Sequence, residues 1–236
     1  MTSSGKRSGP AAGGAATGGE ELVPRHLALS VVVGSRAYGL ATTDSDVDRR
    51  GVFVPPTPMF WRLDKPPTHV EGPRSEEFSW EVERFCVLAL GANPTVLECL
   101  WSPLVEHVTE TGARLRAIRK AFLSSRAEET FLRYADAQFR RISPERPKWK
   151  QVMHMIRLLI SGRHLVREGE PLLDMSEHRD RLLAVRRGEV PWPEVVRWRA
   201  DLVADLSGGG GPAALPAEPD RAAVEAFLID VRRSAL

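Results

Sequence analysis

The sequence predicts an α+β protein: a small mixed β-sheet near the N-terminus, followed by a mostly helical C-terminal part. Three observations carry that prediction. A β-branched run, Val31-Val32-Val33, breaks at Gly34-Ser35, and a second strand pattern follows at about residues 50–54. A third strand pattern, residues 76–80 (EEFSW), runs directly into a helix. From about residue 81 onward, apolar positions recur at helical spacing, punctuated by Gly, Pro and Asn.

The polar residues between the first two strands carry the chemistry. Asp46 and Asp48 are two apart in what should be extended chain, which puts them on one face. Two neighbouring carboxylates repel unless a cation lies between them. An all-oxygen donor set suits Mg2+ or Mn2+. Asp44 is expected to be a turn residue pointing elsewhere. Gly34-Ser35 opens a short helical turn and suits a phosphate: Gly lets the backbone N–H approach, and Ser adds a hydroxyl donor.

A Gly-Ser pair, ten residues and then D-x-D, on strand–turn–strand, resembles the signature of the DNA polymerase β nucleotidyltransferase superfamily. Within it, GSRAYGLATTDSDVDRRG is similar to the YcgL-type nucleotidyltransferases. The resemblance implies a sheet of the nucleotidyltransferase type and a nucleoside triphosphate as substrate. Gly34, Ser35 and Arg36 would then bind its phosphates, and Asp46 and Asp48 would hold Mg2+ or Mn2+. It also implies a third carboxylate on a neighbouring strand, which falls on Glu76. Glu77 is one register away, and a one-residue slip reverses the face.

The bulk properties are those of an ordinary globular chain. Of 236 residues, 42% are apolar and 27% charged. Two cysteines, Cys86 and Cys99, argue against a disulfide framework or a cysteine zinc site and for a reducing, cytoplasmic setting. No run of about 18 apolar residues is present, so no membrane span is expected. The net charge of +2 hides an asymmetry: residues 110–199 hold 20 Lys/Arg against 12 Asp/Glu. A basic half beside an acidic metal site suits a polyanion such as RNA. An arginine-rich composition would give the same excess without any ligand.

In chain order, residues 1–19 are Ser/Gly/Ala-rich and expected to be a disordered tail. Residues 20–108 are expected to form the nucleotidyltransferase core, and residues 109–236 a helical domain packing on it. Five prolines between Pro55 and Pro67 argue against a regular element there. Met59, Phe60, Trp61 and Leu63 should make that loop pack on something. Residues 68–74 read as a flexible turn. Residues 81–91 are a helix with Val82, Phe85, Cys86, Ala89 and Leu90 on one face. Asn93 should cap the next helix, with Pro94 at its first position. Glu98, among apolar neighbours, reads as a paired core acid or a site residue. GANPTVLECLWSP is a second block that resembles the YcgL-type sequences.

Helices are further expected over residues 109–124, 126–142, 147–168, 175–187, 192–206 and 220–234, with a Gly/Pro linker at 208–219. In the longest, Lys150, His154 and Arg157 fall on one stripe, beside an apolar stripe of Met153, Ile156, Leu159 and Ile160. The polar stripe is either a solvated face or a phosphate rail. It also resembles the YcgL-type sequences, and this resemblance implies that Lys150, His154 and Arg157 bind nucleotide or acceptor strand. Trp192 and Trp198 read as core or edge residues.

The expected activity is transfer of a nucleoside monophosphate to an acceptor hydroxyl, most naturally on RNA. A protein acceptor receiving AMP, or a non-catalytic nucleic-acid-binding or antitoxin-like protein, are the alternatives.

Overall fold

A computed structural model describes residues 17–43, 45–208 and 215–236 of the chain. The expected tail therefore lies outside the described residues up to residue 16. So do Asp44 and half of the expected linker, residues 209–214. Residues 17–19, assigned to the tail from sequence, begin a helix, α1 (Thr17–His26). It runs directly into β1 (Leu27–Val33), which is buried along nearly its whole length.

The five-stranded sheet has the order β3-β4-β2-β1-β5, with β2 (Asp48–Phe53), β3 (His69–Glu71), β4 (Glu77–Glu81) and β5 (Val105–Val108). β2 and β4 are parallel, and the other pairings are antiparallel, so the sheet is mixed as expected. β2 begins at Asp48, two residues earlier than predicted. β3 replaces the expected turn at 68–74, and β5 was not foreseen. Strands of three and four residues are too short to show an alternating pattern, and their partners define them. A 3-10 helix (Thr57–Trp61) sits among the prolines. The loop does not pack as expected throughout: Trp61 is 70% and Leu63 101% exposed.

Two helices follow β4: α3 (Val82–Leu90) and α4 (Pro94–Trp101). Glu81 caps α3 by accepting from the backbone N–H groups of Glu83 and Arg84, at 2.9 and 3.2 Å. Asn93 caps α4 through Val96 N–H, as its sequence predicts. The expected helix at 109–124 divides into α5 (Glu110–Ala117) and a 3-10 turn, Arg119–Phe122. Next come α6 (Arg126–Phe139), α7 (Trp149–Glu168), α8 (Arg179–Arg187), α9 (Trp192–Ser207) and α10 (Arg221–Ser234). Gly188 ends α8 at φ +75, as its position in the sequence suggests.

One continuous apolar core joins β1 and β2 to α3, α4, α6, α7 and the later helices, from Leu29 to Val231. Helix α7 lies at its centre. α6, α8 and α9 pack around it, so residues 155–162 are buried on every face. The C-terminal helix returns to the sheet. Arg232 on α10 pairs with the buried Glu81 at 2.6 Å and with Glu83 at 3.2 Å, and its backbone carbonyl accepts from the Thr57 hydroxyl at 2.6 Å. Cys86 and Cys99 are both free and buried, and burial pushes the Cys86 thiol up to about 12.

Helix α5 approaches β1 closely because Gly112 has no side chain. A Cβ there would collide with the Ala28 carbonyl, a backbone atom that cannot swing aside. Gly112→Ala should therefore destabilise the fold by about 1–3 kcal/mol, read as a lower midpoint in urea unfolding. An unchanged midpoint would show that the helix shifts at no cost.

Candidate active site

The site is built at the C-terminal end of β1. Gly34 takes φ +71, which favours glycine, and starts a single helical turn, α2 (Gly34–Ala37). A second constraint fixes the same residue. Val33 pairs with Asp48 across β1 and β2, and a Cβ on Gly34 would collide with the Asp48 carboxylate. Gly34 thus holds the turn and leaves room for the acid.

Asp46 lies just before β2, in irregular chain, so regular strand alternation does not position it. Arg36 does: its guanidinium donates to the backbone carbonyls of Ser45 at 3.0 Å and Asp46 at 3.4 Å. Arg36 thus grips the acidic loop and is not among the residues that line the cavity the carboxylates face.

That cavity, about 250 Å3, is lined by Ser35, Ser45, Asp46, Asp48 and Glu76 from the sheet side and by Lys150, His154 and Arg186 from α7 and α8. Glu76, on which the resemblance places the third carboxylate, lines this cavity with Asp46 and Asp48, whereas Glu77 lines a neighbouring one that Glu76 also borders. Glu76 has φ +61, a conformation costing a non-glycine residue about 1–2 kcal/mol. Its carbonyl is held by Arg49 N–H at 2.9 Å and by the Arg50 guanidinium at 3.0 Å.

The predicted cationic stripe divides. Lys150 is exposed and His154 half-buried, and both reach the cavity. Arg157 does not. It is 6% exposed, pairs with the buried Glu98 at 2.6 Å, and lies 3.9 Å above the Tyr38 ring. At that level α7 has no wet face, because α6, α8 and α9 surround it. The Tyr38 hydroxyl donates to the other Glu98 oxygen. Burial works against the charge on Arg157, but Glu98 and Tyr38 hold its pKa above the usual value. Glu98 is the paired core acid anticipated as one of its two readings.

Burial, with the Arg157, Lys150 and Arg186 charges, lowers the His154 pKa to about 4. His154 is therefore a neutral donor at pH 7, not a cation. Arg186 was missed in the sequence. It is half-buried and has no ion-pair partner among the described residues. The sequence shows it only as one of two arginines in the last turn of α8, which gives no sign of the cavity.

The donor set fits a hard divalent cation. Asp46 is exposed and its carboxylate has no hydrogen bond or ion pair among the described residues, while Asp48 has Arg50 no closer than 3.9 Å. No group of three or more His, Cys, Asp or Glu among the described residues is gathered closely enough to hold an ion alone. Mg2+ commonly takes one or two carboxylates and completes its shell with substrate phosphates and water, which is what this pair offers.

The mixed sheet, the Gly-Ser turn and the carboxylates at the start of β2 define a DNA polymerase β-type nucleotidyltransferase fold. The chain belongs to the RNA repair pathway DNA polymerase beta family, RlaP, whose model matches residues 20–230. The chain is also similar to the uncharacterized protein YcgL of Bacillus subtilis (strain 168), 26% identical over 168 residues. That similarity covers 67% of this chain and 64% of YcgL. No solved structure matches the chain. No helix among the described residues is long and apolar enough to cross a membrane.

Two outcomes follow from this geometry. Glu98→Ala or Arg157→Ala strands a buried charge and should cost about 3–5 kcal/mol in chemical denaturation; a loss below about 1 kcal/mol would show that the pair is dispensable. Because the His154 pKa is depressed in the fold, the unfolded chain binds the extra proton between pH 6.5 and about 4. Stability should be full above pH 6.5 and fall by up to about 3 kcal/mol on acidification through that window. His154→Gln should flatten that part of the pH–stability curve, and an unaltered curve would rule the residue out.

Proposed function

We propose that this protein is a metal-dependent nucleotidyltransferase that transfers a nucleoside monophosphate from a nucleoside triphosphate to an acceptor hydroxyl on RNA, releasing pyrophosphate. The observation that carries the reading is one cavity with Asp46, Asp48 and Glu76 on its sheet side and Lys150, His154 and Arg186 on its helical side. Membership of an RNA repair pathway family and the basic helical half support RNA as the acceptor. Two free, buried cysteines suit a reducing cytoplasm.

In this reading Asp46 and Asp48 hold Mg2+ or Mn2+, with Glu76 beside them. Bound there, the ions would lower the pKa of the acceptor hydroxyl and offset charge on the leaving pyrophosphate. Ser35 donates its hydroxyl to a terminal phosphate. Lys150 supplies a point charge and Arg186 a planar fork to the triphosphate. His154 adds an uncharged donor. Glu76 takes the proton of the acceptor hydroxyl as its oxygen bonds to the α-phosphorus and the bond to the bridging oxygen breaks.

The test is transfer of α-labelled nucleoside triphosphates, with and without Mg2+ or Mn2+, to total RNA and to lysate protein. Metal-dependent label in RNA is the expected result. Label in protein instead would overturn the acceptor class, and neither binding nor transfer would overturn the enzymatic reading. Asp46→Asn and Asp48→Asn should lower transfer at least about a hundredfold. Glu76→Gln should lower it about 10^2–10^4-fold. Stability should stay within about 0.5 kcal/mol in the Asp46 variant, whose side chain is exposed. Full activity in either Asp variant would sink the mechanism.

A further inference from the structure

The chain that joins α6 to α7 and enters the cavity wall at Lys150 is strongly basic. Residues 140–150 hold five cations, Arg140, Arg141, Arg146, Lys148 and Lys150, against one acid, Glu145. All five cations are exposed. Glu145 accepts from the Ser143 hydroxyl at 2.6 Å and pairs with none of them. None of the five has an ion-pair partner among the described residues, whereas on the neighbouring helices Arg163 pairs with Asp205 and Arg181 with Glu194.

The connection holds these charges in place. Ile142, 7% exposed, anchors it in the core. Arg141 N–H donates to the Gln138 carbonyl at 3.1 Å and Arg146 N–H to that of Ser143 at 3.3 Å, which closes a turn on either side of Ile142. At the far end Trp149 is half-buried, and Gly188 lies directly on its indole: a Cβ at Gly188 would stand 2.7 Å from Nε1. That contact sets the last turn of α8 against the first turn of α7, so Arg186 and Lys150 reach the cavity side by side. Lys148 and Arg146 follow at steps of two residues, each spanning at most about 7 Å. Neither lines the cavity, so the row leads outward from its rim toward the end of α6. Like charges crowded in this way repel one another, and a row of phosphates answers them by releasing its own counterions.

We propose that the α6–α7 connection is the docking track for the RNA acceptor strand, with the phosphates that flank the reacting nucleotide lying along Lys148, Arg146 and the Arg140-Arg141 pair. The proposal rests on the nucleotidyltransferase reading and adds to it the surface that holds the acceptor outside the cavity. Contacts of this kind go to the backbone, so the track positions the strand without reading its bases.

The test uses the full chain and a short, labelled single-stranded oligoribonucleotide of mixed sequence, with binding read by fluorescence anisotropy over a range of salt concentrations. Binding of a fluorescent nucleoside triphosphate with Mg2+ is measured separately. Each phosphate contact on a single strand contributes about 0.7 to the slope of log affinity against log salt. The combined variant Arg140→Gln, Arg141→Gln, Arg146→Gln and Lys148→Gln should lower that slope by about two to three and weaken RNA binding about a hundredfold at 0.1 M salt. Its triphosphate binding and thermal midpoint should match the wild type. In transfer assays its KM for RNA should rise with kcat at saturating RNA unchanged. A control variant removes the same charge from exposed positions outside the track and the cavity: Arg62→Gln, Arg84→Gln, Lys120→Gln and Arg233→Gln. Its slope should stay within about 0.7 of the wild type. A wild-type slope in the track variant, an equal loss in the control, or no RNA binding by the wild-type protein overturns the track. Failure of the wild-type protein to bind triphosphate would instead overturn the transfer reading, and the salt slopes would still decide the track.

Discussion

The buried pair of Arg157 and Glu98, with Tyr38 against both, is the constraint on which the site depends. It joins three distant parts of the chain: the turn after β1, helix α4 and helix α7. A charge pair in a core is tolerated only when its geometry and hydrogen bonds offset the desolvation of both partners. Here each Glu98 oxygen has its own donor, and the guanidinium covers the Tyr38 ring. The consequence is positional. Tyr38 follows Gly34 and Ser35 by one helical turn, so fixing its ring fixes the turn that faces the carboxylates. The same segment is held from a fourth direction: Met175 N–H donates to the Tyr38 carbonyl at 3.1 Å, and the Arg179 guanidinium to that of Gly39 at 3.0 Å.

This network also explains why three sequence blocks that resemble the YcgL-type proteins occur together. Each supplies one member: Tyr38 from GSRAYG, Glu98 from the block after Asn93-Pro94, and Arg157 from the stripe on α7. In the fold all three meet in this buried contact, and the first and third, through Ser35, Lys150 and His154, also reach the cavity.

What the sequence made legible was local. Asp46, Asp48 and the Gly34-Ser35 turn could be paired because strand and turn chemistry place them within about twenty residues. The cap at Asn93 followed from a side chain that bonds to the next turn of its own helix. What stayed hidden required partners far along the chain. Arg157 looked wet because helical periodicity names a stripe but not what covers it. Arg186 gave no signal because α8 is brought to the cavity only through its packing on α7. The choice between Glu76 and Glu77 depended on one backbone conformation, φ +61 at Glu76, that no sequence pattern specifies.

That conformation links the electrostatics of the two halves. In a regular strand, Glu76 and Glu77 would point to opposite faces, and β4 would end its chemistry there. The left-handed residue, anchored through its carbonyl by Arg49 and Arg50, turns the Glu76 carboxylate to the end of the sheet where Asp46 and Asp48 stand. The acids that line the cavity would leave it strongly negative in isolation. The helical part answers them across the cavity with Lys150 and Arg186, while burial, aided by the nearby cations, keeps His154 neutral. The near-zero net charge of the chain is thus the sum of two opposed fields facing one cleft. In the proposed reading, a triphosphate, anionic toward the helices and metal-bridged toward the acids, would satisfy both.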